Sequence, residues 1–207
     1  MSNEAKIRKA CKKHFKKKYE NIIIKDEFSQ QNIFVRPDLF GVTENDTISI
    51  EIKSNKDSFL RMERQLIGYL GFSSLIYVVL DRKHVKKFMK YFGNKNKFFN
   101  IGVMYYKKGS LKTIREPVNR KVPLLYNMLW RDELIKMFYL FKNRSFLPND
   151  KDSIKEIIED IFTYKEIKLM SKKIFFSRMR KTNLENLYVD IDFVERQNKY
   201  NLLMNKI

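Results

Sequence analysis

The chain has 207 residues, 43% apolar and 14% aromatic, enough for a folded core and too many for wholesale disorder. Forty-three Lys and Arg against 24 Asp and Glu leave a formal charge of +19, so a polyanion is the natural partner, although charge alone does not separate DNA from RNA or from an anionic surface. A lone cysteine, Cys11, excludes an internal disulfide framework and a zinc cluster, and no apolar run is long enough for a membrane span or a leader, so a cytoplasmic protein is expected.

Residues 2–18 place Ile7, Ala10, Cys11, His14 and Phe15 on one helical face with lysines opposite, and Ser2 or Asn3 is positioned to cap that helix. Three strands are expected next, at 21–29, 33–42 and 47–54, the last two forming a hairpin through Glu44, Asn45 and Asp46. Helical spacing returns from 57 to 71 through Phe59, Leu60, Met62, Leu66, Ile67 and Leu70, with capping side chains between Ser54 and Ser58. The run at 74–81 has the composition of a strand buried on both faces. A basic helix at 83–92 and a strand at 100–108 complete a mixed sheet flanked by helices. Beyond Pro117 the texture is helical, near 124–143, 151–162, 164–180 and 184–205, which divides the chain into a core at 1–116 and a helical region at 117–207 with a DNA-binding or packing role. Charge is uneven: 25 − 11 = +14 over residues 1–115 and 18 − 13 = +5 over the rest.

Strict alternation in Ile48-Ser49-Ile50-Glu51-Ile52-Lys53 sends the isoleucines to one face and Ser49, Glu51 and Lys53 to the other. Taken alone, this is an ordinary half-exposed strand. Asp38, following Pro37 at the start of the partner strand, changes the reading, because the hairpin register brings it towards Glu51 and Lys53. Two carboxylates and a nearby backbone carbonyl, that of Ile52, suit Mg²⁺, with Mn²⁺ a plausible substitute. Such an ion acidifies bound water and neutralises charge on a phosphate under attack, while Lys53 orients the water.

Pro37-Asp38, twelve intervening residues, then Glu51-Ile52-Lys53 resembles the signature of the PD-(D/E)XK nuclease superfamily. The resemblance implies a restriction-endonuclease-like fold, metal binding by Asp38 and Glu51, and an assisting role for Lys53. Gln65 and Tyr69 resemble the Gln-x-x-x-Tyr element of the RecB-like branch, and Glu4 resembles the extra acid that junction resolvases carry near the metal. The wording RPDLFG, EIKSNKDSF, QLIGYL and YVVLD is similar to the small MmcB-like branch and to phage and mobile-element proteins, over residues 2 to about 82, with a weaker likeness at Leu125 and Trp130 to Leu134.

Nucleic-acid contact is expected from Lys12, Lys13, Lys16, Lys17, Arg36, Lys56, Arg61, Arg64, Lys83, Lys86 and Lys87. HNH-type sites are excluded because only His14 and His84 exist, and His14 lies on the apolar helix face as a packing residue. The expected activity is Mg²⁺-dependent hydrolysis of DNA phosphodiesters by an endonuclease, in DNA repair, recombination, or phage and mobile-element DNA processing or defence. The alternative is a nuclease-fold DNA-binding or regulatory module with weak or partner-dependent cleavage. An RNA-directed protein, a homodimer and a protein partner stay open.

Overall fold

The computed structural model describes residues 3–28, 35–43, 45–93, 95–120, 128–138, 147–181 and 193–204. The chain divides into two compact units, Met1–Pro123 and Leu124–Ile207.

The first unit is a six-stranded mixed sheet flanked by helices. Its strands are β1 (Ile23–Asp26), β2 (Leu39–Val42), β3 (Thr47–Lys53), β4 (Leu75–Asp81), β5 (Gly102–Lys107) and β6 (Ser110–Arg115), paired in sequence order. β3, β4 and β5 run parallel, and the other neighbours are antiparallel. Parallel neighbours need a crossover, and the two crossovers here are α2 (Met62–Leu70) and the helical segment 82–98.

Helix α1 (Asn3–Lys18) packs on one face of the sheet. Ile7, Cys11 and Phe15 recur every fourth residue, which is why that stripe is fully buried against Leu39, Ile48, Ile50, Ile52, Tyr77 and Val79. Asn3 lies within the helix, and its amide donates to Asp81 at 2.6 Å; Ser2 lies outside the described residues. On the opposite face of the sheet, α2 buries Met62, Leu66 and Tyr69.

Several expectations need correction. β3 is buried on both faces, so the ordinary half-exposed reading of its Ser/Glu/Lys side does not hold. α2 begins at Met62 rather than 57, because Asp57 instead closes a turn by accepting from the Ser54 amide and hydroxyl at 2.6 and 2.7 Å. The N-cap, Arg61, makes no side-chain capping hydrogen bond, and Leu60 and Ile67, expected on the apolar face, point outwards. Segment 82–93 is a 3₁₀ turn, one α turn (α3, Val85–Phe88) and a π turn rather than a single helix. β6 lies in a stretch with no expected strand; a tight turn at Lys108 and Gly109, both at positive φ, folds it back on β5. Part of the expected strand 33–42 lies outside the described residues, and 35–38 is irregular.

Residues 117–120 fasten to the first unit rather than bridging away from it. The Val118 amide donates to the Asn100 carbonyl, and Arg120 donates to the Ser74 and Leu70 carbonyls.

The second unit is helical. α4 (Arg131–Ile135) is followed by a 3₁₀ turn at Lys136–Phe138, then by α5 (Lys151–Ile161), α6 (Tyr164–Arg180) and α7 (Phe193–Met204). Asp150 caps α5 through the Ser153 amide, and Thr163 with Glu166 forms a reciprocal capping box on α6. Glu133 of the expected Trp130–Leu134 segment is buried, pairs with Arg178 at 3.0 Å and accepts from the Trp130 amide, while the Arg178 guanidinium lies over the Trp130 and Phe175 rings. Those residues therefore pack and cap. Leu125, much of the expected helix 124–143 and the first part of 184–205 lie outside the described residues. Among the described residues no helix is long and apolar enough to cross a membrane.

Candidate functional site

The sheet assembles a buried cluster of charged and polar side chains in the first unit. The β2–β3 register pairs Leu39 with Ile50, which puts Asp38, one residue earlier, beside the end of β3. There its carboxylate accepts from the Ile52 amide at 2.7 Å, so the part of Ile52 that Asp38 meets is its N–H. The isoleucines of β3 face α1, and Glu51 and Lys53 therefore project under α2. Glu51 is 1% exposed.

Burial of a carboxylate is tolerated only when its oxygens are matched by donors. One Glu51 oxygen accepts from Lys53 Nζ and from Gln65 Nε2, both at 2.7 Å; the other accepts from the Tyr69 hydroxyl at 2.5 Å. Gln65 Oε1 in turn accepts from Lys53 at 3.2 Å. Gln65 and Tyr69 are four residues apart on α2, one helical turn, which aims both at the same carboxylate. Burial, followed by the Glu51 charge and the hydrogen bond to it, holds the Tyr69 phenol protonated well above its ordinary range.

Asp38 is the less settled acid. Burial and then the neighbouring Glu51 charge raise its pKa to about 6, outweighing the Ile52 amide, Arg8 and Lys53. Arg8, which was not anticipated from sequence, reaches across from α1: it donates to the Asp38 carbonyl at 2.7 Å and lies 3.4 Å from its carboxylate. Arg8 also binds Glu4 at 3.0 Å, so Glu4 meets the cluster only through a guanidinium. The i, i+4 spacing of Glu4 and Arg8 was the available signal.

The five residues Asp38, Glu51, Lys53, Gln65 and Tyr69 thus converge as their pattern suggests. Two of them, Asp38 and Glu51, are carboxylates, and burial followed by the Glu51 charge raises Asp38 to about 6. In number of ligands they are sparse: among the described residues no group of three or more His, Cys, Asp or Glu is arranged to hold a metal.

The expected nucleic-acid contacts separate into several kinds. Lys12 pairs with Asp26, and Arg36 with Glu27. Lys87 lies over the Phe59 ring. Lys83 and Lys86 are exposed. Lys13, Lys16 and Lys17 are exposed and, among the described residues, unpaired; the same holds for Lys56, Arg61 and Arg64. Lys6 and Lys9, which sequence reasoning passed over, extend the Lys13 stripe towards the start of α1 at helical spacing. His14 packs edge-on against Phe15, with Nε2 buried and unpartnered, and burial lowers its pKa, which agrees with a packing residue.

The fold and site together define a mixed α/β core with an internal acid–lysine cluster and a cationic exterior, joined to a helical unit. A protein-family model described as Bacteriophage P4 protein cII matches residues 2–189, and the chain belongs to that family. No curated protein matches it. A solved structure of a protein of unknown function from Silicibacter pomeroyi is similar at 15% identity and a TM-score of 0.46, over 59% of this chain and 76% of that one.

The family match overturns the assignment to the PD-(D/E)XK nucleases and their MmcB-like branch, together with the DNA-cleaving activity and endonuclease role expected from it. That assignment rested on a few short motifs within residues 2–82, whereas the family model runs on to residue 189. The chemistry agrees with the correction. The third acid expected at the metal, Glu4, is bound to Arg8, and among the described residues no group of three or more His, Cys, Asp or Glu is arranged to hold a metal. The fold is described by its mixed six-stranded sheet and helical region, without the narrower restriction-endonuclease-like label.

Proposed function

We propose that this member of the P4 cII family is a DNA-binding protein, regulatory rather than enzymatic, that engages the phosphate backbone through its first unit. The observation carrying this reading is the outer face of α1, where Lys6, Lys9, Lys13, Lys16 and Lys17 stand exposed with no ion-pair partner among the described residues. Unpaired lysines release counterions on meeting phosphate, whereas paired ones must first give up their carboxylates. A family named for a bacteriophage protein also makes DNA a fitting partner. Fluorescence anisotropy with labelled duplex DNA and matched duplex RNA tests the reading. Binding to DNA that falls at least tenfold when the five lysines become glutamine supports it. Undiminished binding by that variant, or a preference for RNA, sinks it.

We further propose that Asp38 and Glu51 accept a divalent cation, Mg²⁺ or Mn²⁺, with Lys53, Gln65 and Tyr69 positioning Glu51. The cation would replace the proton that burial and the Glu51 charge draw to Asp38, and would offset the charge of the two acids. Calorimetric titration of the chain with Mn²⁺ should show one site in the wild type and none in Asp38→Asn. Equal heats from the two proteins would remove the proposal.

A further inference from the structure

Among the described residues, Leu60 is the most exposed of the large apolar ones, at 92%. Single exposed leucines are common and need no explanation. This one differs in how it is held and in what surrounds it.

The turn that carries it is fastened on both sides. Asp57 accepts from the amide and hydroxyl of Ser54, and the Met62 amide donates to the Phe59 carbonyl at 3.1 Å. Phe59 packs inwards against His84, Phe88 and Phe92, with ring centroids 5.2, 6.1 and 5.8 Å away. Met62, on the other side, is fully buried at the start of α2. With both neighbours anchored, Leu60 has no route to the core. Within four residues of it in the chain, Lys56, Arg61 and Arg64 are exposed and unpaired among the described residues.

From this juxtaposition we infer that Leu60 is a wedge that enters a base step of duplex DNA while Lys56, Arg61 and Arg64 hold the flanking phosphates. The inference rests on the DNA-binding reading above and deepens it. Apolar side chains inserted between base steps unstack them, and the cost of unstacking is offset by the added contacts to the bent duplex. The three cations select a polyanion over a neutral protein surface. One leucine offers far less apolar area than a membrane-surface helix buries, so an anionic bilayer is the weaker match.

The test compares a matched duplex with one carrying a single mismatch, where the base step opens at lower cost. The wild type is expected to bind the mismatched duplex about 3- to 10-fold more tightly, because part of the unstacking cost is already met. Leu60→Ala should bind both duplexes alike, and Leu60→Met should retain the preference. The triple variant of Lys56, Arg61 and Arg64 to alanine should weaken binding to both duplexes while keeping their ratio. Leu60 is at the surface, so Leu60→Ala should keep the wild-type melting temperature.

A wild type without preference, or a Leu60→Ala variant that keeps it, overturns the wedge and leaves DNA binding standing. Absence of DNA binding by the wild type overturns both. Leu60-dependent flotation with phosphatidylserine vesicles, without a mismatch preference, overturns the wedge in favour of a membrane contact.

Discussion

At the scale of single residues, the cluster under α2 holds two carboxylates in unlike states. Glu51 is matched by Lys53, Gln65 and Tyr69, whereas Asp38 is raised from an ordinary 3.8 to about 6 by burial and by Glu51 itself. An acid whose folded pKa lies above its unfolded one binds its proton more tightly in the folded state. Asp38 therefore costs stability in full above about pH 6, and the cost disappears as pH falls through the folded value towards 3.8. Two units correspond to roughly 3 kcal/mol, and the side chain is 28% exposed, so screening reduces the cost to about 1–2 kcal/mol. Asp38→Asn keeps an oxygen for the Ile52 amide and removes the charge. In urea denaturation with EDTA present, it should be more stable than the wild type by that amount at pH 7.5, and equal to it by pH 4. A gain that does not change with pH would mean that the buried charge on Asp38 is not the cause. The convergence of Asp38, Glu51 and Lys53 was legible because strand alternation and hairpin register are properties of sequence. Arg8 was not, since its i, i+4 spacing from Glu4 marks a pair on the helix surface and not a reach from the helix to the sheet.

At the scale of elements, the strands and helices with regular periodicity stand close to where their patterns put them: α1, β3, β4, α5 and α6 differ from expectation by a residue or two at most. The departures fall where tertiary contacts override local pattern. Leu60 and Ile67 read as core by spacing, yet Tyr69 takes the inward position because its hydroxyl has a buried carboxylate to meet. The strand β6 escaped notice because its burial alternates poorly and its turn, Lys108-Gly109, is a weak hairpin signal beside Asn-Gly. Gly68 on α2 makes the override testable. Alanine is worth about 1 kcal/mol over glycine in a helix interior, but a Cβ at Gly68 would lie 2.2 Å from Val35 Cγ2, so Val35 would have to move. Gly68→Ala should thus destabilise the chain by about 1–3 kcal/mol despite its helix propensity. In a double-mutant cycle with Val35→Ala, the second change should recover most of that loss, measured as the denaturation midpoint. Additive costs would mean that the segment before Asp38 does not lean on α2.

At the scale of the whole molecule, charge is the property that most constrains what the chain does. The share of +14 carried by residues 1–115 is not spread evenly in space, because Asp26, Glu27, Glu63 and Glu116 each draw in cations, while the outer stripe of α1 keeps its lysines free of ion pairs among the described residues. From Lys6 to Lys17 that stripe runs about 16 Å along the helix axis at 1.5 Å per residue, the length of roughly five base pairs of duplex at 3.4 Å each. Five lysines over five base pairs match one strand's phosphates in number. If each neutralises one, the slope of log K against log salt gains about −4 to −5 from this helix alone, so binding should weaken about 20-fold for each doubling of salt. Replacing the five lysines with glutamine should flatten the slope by about 4. The Lys56, Arg61 and Arg64 triple variant should flatten it by no more than about 3. The two increments should add, since the residues share no partner. A slope unchanged by the α1 variant would place the phosphate contacts elsewhere on the molecule, whatever the affinity, because the slope counts the phosphates neutralised rather than the strength of any one contact.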